Sequence, residues 1–453
     1  MPAIATPFDR AAFSSFRFLG HSYDAQTATA TLSYALDEEL YFDELITLPP
    51  GAPIPSGERA AALDAVLALL HLVAGVSYFK AAAPPQIELE RPLSPRLRAL
   101  LGDLYTLGLG EFAYRNELDP TGLAPFPAAG DDGSPAPLPL LPPGNGSLVP
   151  IGGGKDSVVA LEIARAAGAV TLFSVGNRTP IQRTAEAAAL PHLIAQRRIS
   201  PLLLECNARG ALNGHVPVTA IVSLIALATA VLHGHERVVM ANERSASQGN
   251  LHWRGIEVNH QWSKGADFER ELRELLAREI VGGVDYFSVL RGAGELSIAR
   301  AFAALPAYHA AFTSCNTVFR LNDPGRGWCC DCPKCRFVFL ALAPFLPPER
   351  LVSIFGVDLL DDPQQIPGFL ALCGFEADKP FECVGEREES LAAFRLLAES
   401  PAWREHAVVE HAREQMLASL PAELGDPERV LALRDAPQIP ERFLESTLAY
   451  LRF

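Results

Sequence analysis

Basic residues are scarce beside acidic ones: 38 Lys and Arg stand against 53 Asp and Glu, a formal net charge of −15 over 453 residues. A surface of that sign repels phosphate backbones and argues against nucleic-acid partners, although a local basic pocket could still accept a small anion. No apolar run reaches the roughly 20 residues that a membrane span requires. The most membrane-like stretch, Val218 to Leu232, is interrupted by Thr219, Ser223 and Thr229, and reads as a buried core helix. Met1 to Arg17 lacks the apolar core of a secretory signal and carries Asp9. A cytoplasmic chain without a membrane partner is expected. Internal repeats are missing, and so is the G-x-x-x-x-G-K-[ST] spacing of a Walker A loop.

The composition is that of a chain with ample cores: 49% of residues are hydrophobic and 20% charged, enough for two or three domains. Residues 1–118 read as a small α+β domain without recognisable chemistry. Strands are predicted at Phe16–Leu19, Thr27–Leu32 and Phe42–Ile46, with helices after Ser56 and over Arg96–Leu107. Residues 119–146 are so rich in Pro and Gly that a linker or long surface loop is expected. From 147 to 345, strands alternate with helices. Strands are predicted at Ser147–Ile151, Val170–Val175, Leu202–Glu205 and Arg237–Met240. Helices are predicted over Ser157–Ala167, over Thr184–Ala195 with a kink at Pro191, and from Val218. That alternation predicts an α/β fold, a parallel sheet with helices on both faces, whose ligands bind beyond the strands' carboxyl ends. Residues 346–453 read as mostly helical.

The chemistry concentrates at those strand ends. Gly152-Gly153-Gly154 joins a strand to a helix, so its backbone N–H groups can converge on a phosphate at the helix N-terminus. Lys155 offers a charge, Ser157 a hydroxyl, and Asp156 a carboxylate for Mg²⁺. The segment resembles the S-G-G-x-D-S signature of the PP-loop ATP pyrophosphatases, with Gly152 where that family usually has Ser. The resemblance implies a HUP-type sheet and cleavage of ATP to AMP and pyrophosphate, with adenylation of a substrate oxygen. It also implies adenine contacts from the backbone of Ser174, Val175 and Gly176.

Five of eight cysteines lie between Cys315 and Cys335. Cys329-x-x-Cys332-x-x-Cys335 with Cys315 offers four thiolates for one tetrahedral ion, a structural Zn²⁺, with an iron–sulfur cluster or reduced buried thiols as the alternatives. Cys330 is out of phase. The arrangement is similar to the zinc site of 7-cyano-7-deazaguanine synthase. Cys206, Cys373 and Cys383 are expected to be packing residues.

Two further segments are polar where a strand end would present a ligand: Asn242-Glu243-Arg244-Ser245 and Asn259-His260-Gln261-Trp262-Ser263-Lys264. His215 sits in a third, before the long apolar helix; His233 and His235 read as structural. With the glycine loop, Ser314-Cys315-Asn316 and the cysteine cluster, these segments resemble the UDP-N-acetylmuramoyl-L-alanyl-L-glutamate epimerase (MurL) family over most of the chain. The resemblance implies inversion of the terminal L-glutamate of a UDP-linked muramoyl dipeptide, using ATP and Mg²⁺. On chemical grounds Asn242, Glu243, Arg244, Ser245, Asn259, Gln261 and Ser263 are expected to hold substrate, Lys155 and Arg244 to neutralise anions, and His215, His260 and Lys264 to move protons. The competing readings are another PP-loop adenylation, such as amide or nitrile formation, and a nucleotide-binding protein without catalysis.

Overall fold

The computed structural model describes residues 7–127, 137–315, 317, 327–375 and 380–452. Asn316 and part of the Pro/Gly-rich segment lie outside them.

Nine strands form one sheet. In chain order they are β1 (Ser15–Asp24), β2 (Thr29–Leu36), β3 (Leu40–Thr47), β4 (Gln86–Glu88), β5 (Ser147–Pro150), β6 (Val170–Val175), β7 (His192–Arg198), β8 (Arg237–Met240) and β11 (Asp285–Ser288). A small hairpin, β9 (Leu251–Trp253) and β10 (Ile256–Val258), stands apart. The sheet order is β11-β8-β5-β6-β7-β3-β2-β1-β4. The half from β11 to β7 is parallel, and the meander β1–β3 joins it antiparallel through β3 and β7. At that seam the buried Glu44 accepts two hydrogen bonds from Arg197, at 2.7 and 3.1 Å.

The central strands β5, β6, β8 and β11 are mostly apolar and buried because both faces are covered, whereas β7 at the seam is more polar. Leu148, Phe173, Val238, Met240 and Tyr286 point into one core, while the alternate residues Val149, Leu172, Val239 and Phe287 point into a second. Helices Gly57–Ala74 and Val218–His233 fill the first, and Lys155–Ala167, Glu295–Ala303 and Pro333–Leu342 the second. Val218–His233 is the expected core helix, with nearly every residue from Ala220 to Leu232 buried. The helix most membrane-like by length and composition is instead Gly57–Phe79, and most of it is also buried. The C-terminal region is mostly helical, as predicted, and its last helix returns to the sheet, with Phe443 packed edge-on against Phe287 at 5.1 Å.

Two predicted elements differ. The helix read over Thr184–Ala195 runs instead over Thr179–Ala188 and stops at Ala189, whose φ is +51°. Pro191 cannot continue it, and the following residues form β7, covered by its neighbours β6 and β3. The strand read at Leu202–Glu205 is a helix, Pro201–Ala208, with Pro201 in its first turn. A four-residue apolar run carries no periodicity that tells the two apart.

In the parallel half the order of chain progression reverses between β5 and β8, the switch point at which such sheets open a crevice. The glycine loop leaves β5 there, and Asn242 to Ser245 leave β8.

Candidate active site

The glycine loop is built for close approach. Gly153 has φ +85°, and a Cβ there would lie 2.9 Å from the backbone of Pro180. A Cβ on Gly154 would meet Ser314 Oγ at 2.7 Å. Gly152 faces open space, so a serine would fit at that position. Gly154 caps the helix Lys155–Ala167, Ser157 Oγ donates to Gly154 O at 2.9 Å, and Thr313 N donates to Gly153 O at 2.9 Å. Beyond β6, Ser174 Oγ donates to Gly176 O at 2.7 Å and lies 2.9 Å from His192 Nε2. Gly176 N donates to Ala195 O at 2.8 Å, so both backbone groups of Gly176 are engaged within the sheet end.

Behind the loop lies a charge cluster drawn from five places in the chain. The buried Lys155 ammonium is ion-paired with Asp156 and Glu295, and Lys334 Nζ stands 3.7 Å from Glu295 Oε1. Burial opposes the charge on Lys155, but the two carboxylates outweigh it and hold the amine protonated. Burial likewise opposes ionisation of Asp156, and Lys155, Lys334 and Lys264 overcome it, so its pKa is lowered. Glu243 is different: burial pushes it up to about 7 against the pull of Lys264, with Glu295 and Asp156 adding to the rise. The site therefore holds one firmly ionised carboxylate beside the glycine loop and one carboxyl poised near neutrality.

Both polar segments are clamped by Arg291. Its guanidinium donates to Glu243 O at 3.0 Å, Lys264 O at 2.9 Å and the buried Glu269 carboxylate at 2.6 Å. Asn259 Nδ2 donates to Ala246 O at 2.9 Å, and its Oδ1 accepts from Gln261 N at 2.7 Å, so this side chain ties the segments together. Ser263 and Gln261 are buried beside it. Arg244 reaches the carbonyls of Ala432 and Val430 in the C-terminal region at 3.2 and 3.4 Å, while its Nε is buried without a hydrogen-bond partner among the described residues. Asn242 Nδ2 and Ser245 Oγ are buried without a hydrogen-bond partner among the described residues.

His260, Lys264 and His215 meet around residues that sequence reasoning did not single out. His260 Nδ1 bonds the buried Glu111 carboxylate, which also accepts from Arg115 at 2.6 Å. Burial would lower the His260 pKa, but hydrogen bonds to Cys383 and Glu111 raise it to about 9. The His215 ring lies 4.2 Å from that of His260, and burial with the neighbouring positive charge pushes it down to about 4. Lys264 Nζ is 3.5 Å from Gln261 Oε1 and 3.7 Å from Cys383 Sγ. Cys383 is thus no packing residue, whereas Cys206 and Cys373 are buried among apolar side chains as expected. The N-terminal region, read as having no chemistry, supplies Glu111. Glu111, Glu295 and Cys383 lie far apart in sequence and outside any local motif, and Lys334 stands within the cysteine motif at a position whose spacing says nothing of its charge. Glu111, His215 and His260 bring ligand-type atoms within 4.8 Å of one another. The Glu111–His260 hydrogen bond occupies Nδ1, however, and the trio reads as a proton relay.

The four cysteines Cys315, Cys329, Cys332 and Cys335 do converge, with their sulfurs within 4.8 Å of one another. Cys329 Sγ and Cys335 Sγ are 3.7 Å apart, close to the ~3.8 Å edge of a tetrahedron with Zn–S bonds of about 2.3 Å. Cys330 points away, toward Phe355 O. The set could hold a structural metal, and its crowding pushes Cys332 up to about 12 through its contact with Cys315 when no cation offsets it. The cluster lies against the site: Ser314 abuts Gly154, and Lys334 lies between Cys332 and Cys335 in sequence.

Comparison with known proteins agrees along the chain. Residues 7–289 match the family model described as the MurL N-terminal domain, and residues 311–425 that of the MurL C-terminal domain. The UDP-N-acetyl-alpha-D-muramoyl-L-alanyl-L-glutamate epimerase of Salinispora tropica is 51% identical over 400 residues, covering 87% of each chain. The enzyme of that name from Micromonospora sp. is 51% identical over 408 residues, covering 87% of this chain and 89% of its own. That from Xanthomonas oryzae pv. oryzae is 44% identical over 447 residues, covering 98% of each. With both family models matched in order and identity sustained over most of its length, this chain belongs to the MurL family.

Proposed function

We propose that this protein inverts the terminal L-glutamate of UDP-N-acetylmuramoyl-L-alanyl-L-glutamate to D-glutamate, in peptidoglycan precursor synthesis, through an acyl-adenylate formed from ATP. The carrying observation is the glycine loop at the switch point of the sheet, with Lys155, Lys264 and Lys334 gathered around the ionised Asp156. The relatives' names give the substrate, and the resemblance of the loop to the PP-loop signature gives the ATP chemistry and the HUP-type fold.

The chemistry explains why an epimerase would carry a phosphate loop. A Cα–H beside a carboxylate is barely acidic, because its carbanion would set two negative charges side by side. Adenylation masks the carboxylate charge, and the electrons of the broken C–H bond can then move into the acyl oxygen as an enolate. A base removes the proton, an acid returns one to the other face, and hydrolysis of the adenylate makes the inversion irreversible. Mg²⁺ bound at Asp156 would neutralise phosphate charge as AMP and pyrophosphate separate. Gly152–Gly154 offer backbone N–H groups to the phosphates, and the lysines stabilise the charge that develops. Ser245, whose buried Oγ lacks a partner among the described residues, and Asn242 on the same segment offer hydrogen bonds to the dipeptide.

Turnover in D₂O tests the reading. Solvent deuterium should enter the glutamyl Cα only with ATP present, together with AMP and pyrophosphate and without ADP. Inversion without ATP would overturn the mechanism. Free glutamate serving as well as the UDP-linked dipeptide would overturn the substrate. AMP release with an amine and another acid, but not with the dipeptide, would favour the amide-forming alternative.

A further inference from the structure

Cys383 lies on the segment between helices Ile366–Leu372 and Arg387–Glu399. Its backbone carbonyl accepts a hydrogen bond from Lys334, and its sulfur lies 3.7 Å from Lys264 Nζ. The thiol and the His260 ring act on one another's charge, and Glu111 holds Nδ1 of that ring. Carboxylate, imidazole and sulfur are thus neighbours, the set in which a carboxylate orients an imidazole that in turn ionises a nucleophile or base. Lys264 links this set to the glycine loop, because the Asp156, Glu243 and Glu295 carboxylates all act on its charge.

We propose that the Cys383 thiolate is the base that removes, and on the return path delivers, the Cα proton on one face of the activated glutamyl residue. The inference rests on the adenylation reading above, since an unactivated carboxylate leaves that proton out of a thiolate's reach. In the forward step the Cα–H proton passes to Sγ, and the C–H electron pair enters the acyl C–O system as the enolate. An acid on the opposite face supplies the new Cα proton. The thiol then yields its proton to solvent, restoring the thiolate that the protonated His260 stabilises. One proton enters and one leaves, with no change in oxidation state.

The surroundings of Cys383 distinguish it from a packing cysteine. Burial alone would raise its pKa, as it does for Cys373, which is pushed well above the usual thiol range. Lys264, His260 and Lys334 reverse that and bring Cys383 down to about 6. Of the carboxylates nearby, Glu111 pairs with His260, Asp156 with Lys155, and Glu295 with Lys155 and Lys334, while burial holds Glu243 up at about 7.

Cys383→Ala and Cys383→Ser decide the matter, assayed beside the unaltered protein with ATP, Mg²⁺ and the UDP-linked dipeptide in D₂O. In folded variants AMP release should persist, while deuterium entry at Cα and formation of the D-epimer fall about 100-fold or more. Exchange and inversion at the unaltered rate would overturn the proposal. So would loss of AMP release in parallel with exchange, which would mark a nucleophilic or purely structural role. If neither variant folds, alkylation of the unaltered protein by iodoacetamide decides instead. Labelling at Cys383 should rise with pH around 6 and be blocked by ATP plus dipeptide, and labelling that is neither overturns the proposal. If the unaltered protein releases no AMP with the dipeptide, the adenylation reading itself has failed and this inference falls with it.

Discussion

Lys334 Nζ lies 3.7 Å from Glu295 Oε1, the carboxylate whose other oxygen pairs with Lys155 at the mouth of the glycine loop. Because Lys334 immediately precedes Cys335, the cysteine cluster and the phosphate loop form one mechanical unit.

That coupling predicts a joint failure. Metal analysis should find about one zinc per chain, and Cys332→Ser should lower both stability and ATP turnover. Several kcal/mol of lost metal binding, at roughly 1 °C per kcal/mol for a chain of this size, should lower the melting temperature by several degrees. Pure protein containing neither zinc nor iron would rule the metal out.

Asp156→Ala should leave the fold intact, because Lys155 keeps Glu295 as its partner. AMP formation should disappear, since the anchor for Mg²⁺ is gone. Circular dichroism and an AMP assay suffice, and normal turnover in a folded variant would remove this loop from the chemistry.

Glu269→Ala should destabilise the protein by about 3–5 kcal/mol in denaturant unfolding, because it leaves the buried Arg291 guanidinium without its counter-charge. Arg291 also holds the backbone of Glu243 and Lys264, so KM for the dipeptide should rise in whatever fraction folds. Unchanged stability would show that this clamp contributes nothing.

Deuterium exchange at Cα should follow a bell in pH. The active form needs Cys383 deprotonated and His260 protonated, so exchange rises as pH passes about 6 and falls as it passes about 9. These limbs belong to the coupled pair rather than to either group alone. Glu111 is a positioning residue here, because its carboxylate holds the His260 proton. Glu111→Gln should therefore move the basic limb toward lower pH and leave ATP binding unchanged. An unshifted basic limb would detach Glu111 from the relay.

Some of this was legible in the residues alone. The glycine loop, its helix (read from Ser157 and beginning at Lys155), the strands at Val170 and Arg237, the buried helix from Val218 and the convergence of Cys315, Cys329, Cys332 and Cys335 all follow from local rules. Apolar periodicity, glycine conformational freedom and ligand spacing act over a few residues, so the sequence displays them directly. The error at β7 has the same origin: Pro191 announces a break, but whether a helix or a strand follows depends on the neighbours β6 and β3.

The sequence by itself determined which residue types stand on the glycine turn and in the cysteine cluster, because their spacing sets that local geometry. Only the tertiary structure decided that Glu111, Glu295, Lys334 and Cys383 join them, and that Arg244 turns to the carbonyls of Val430 and Ala432. The physical reason is that a buried charge takes its role from the opposite charge brought against it. Those partners come from helices and loops 140 positions away in the Lys155–Glu295 pair and 149 in the Glu111–His260 pair, a distance that no local pattern records.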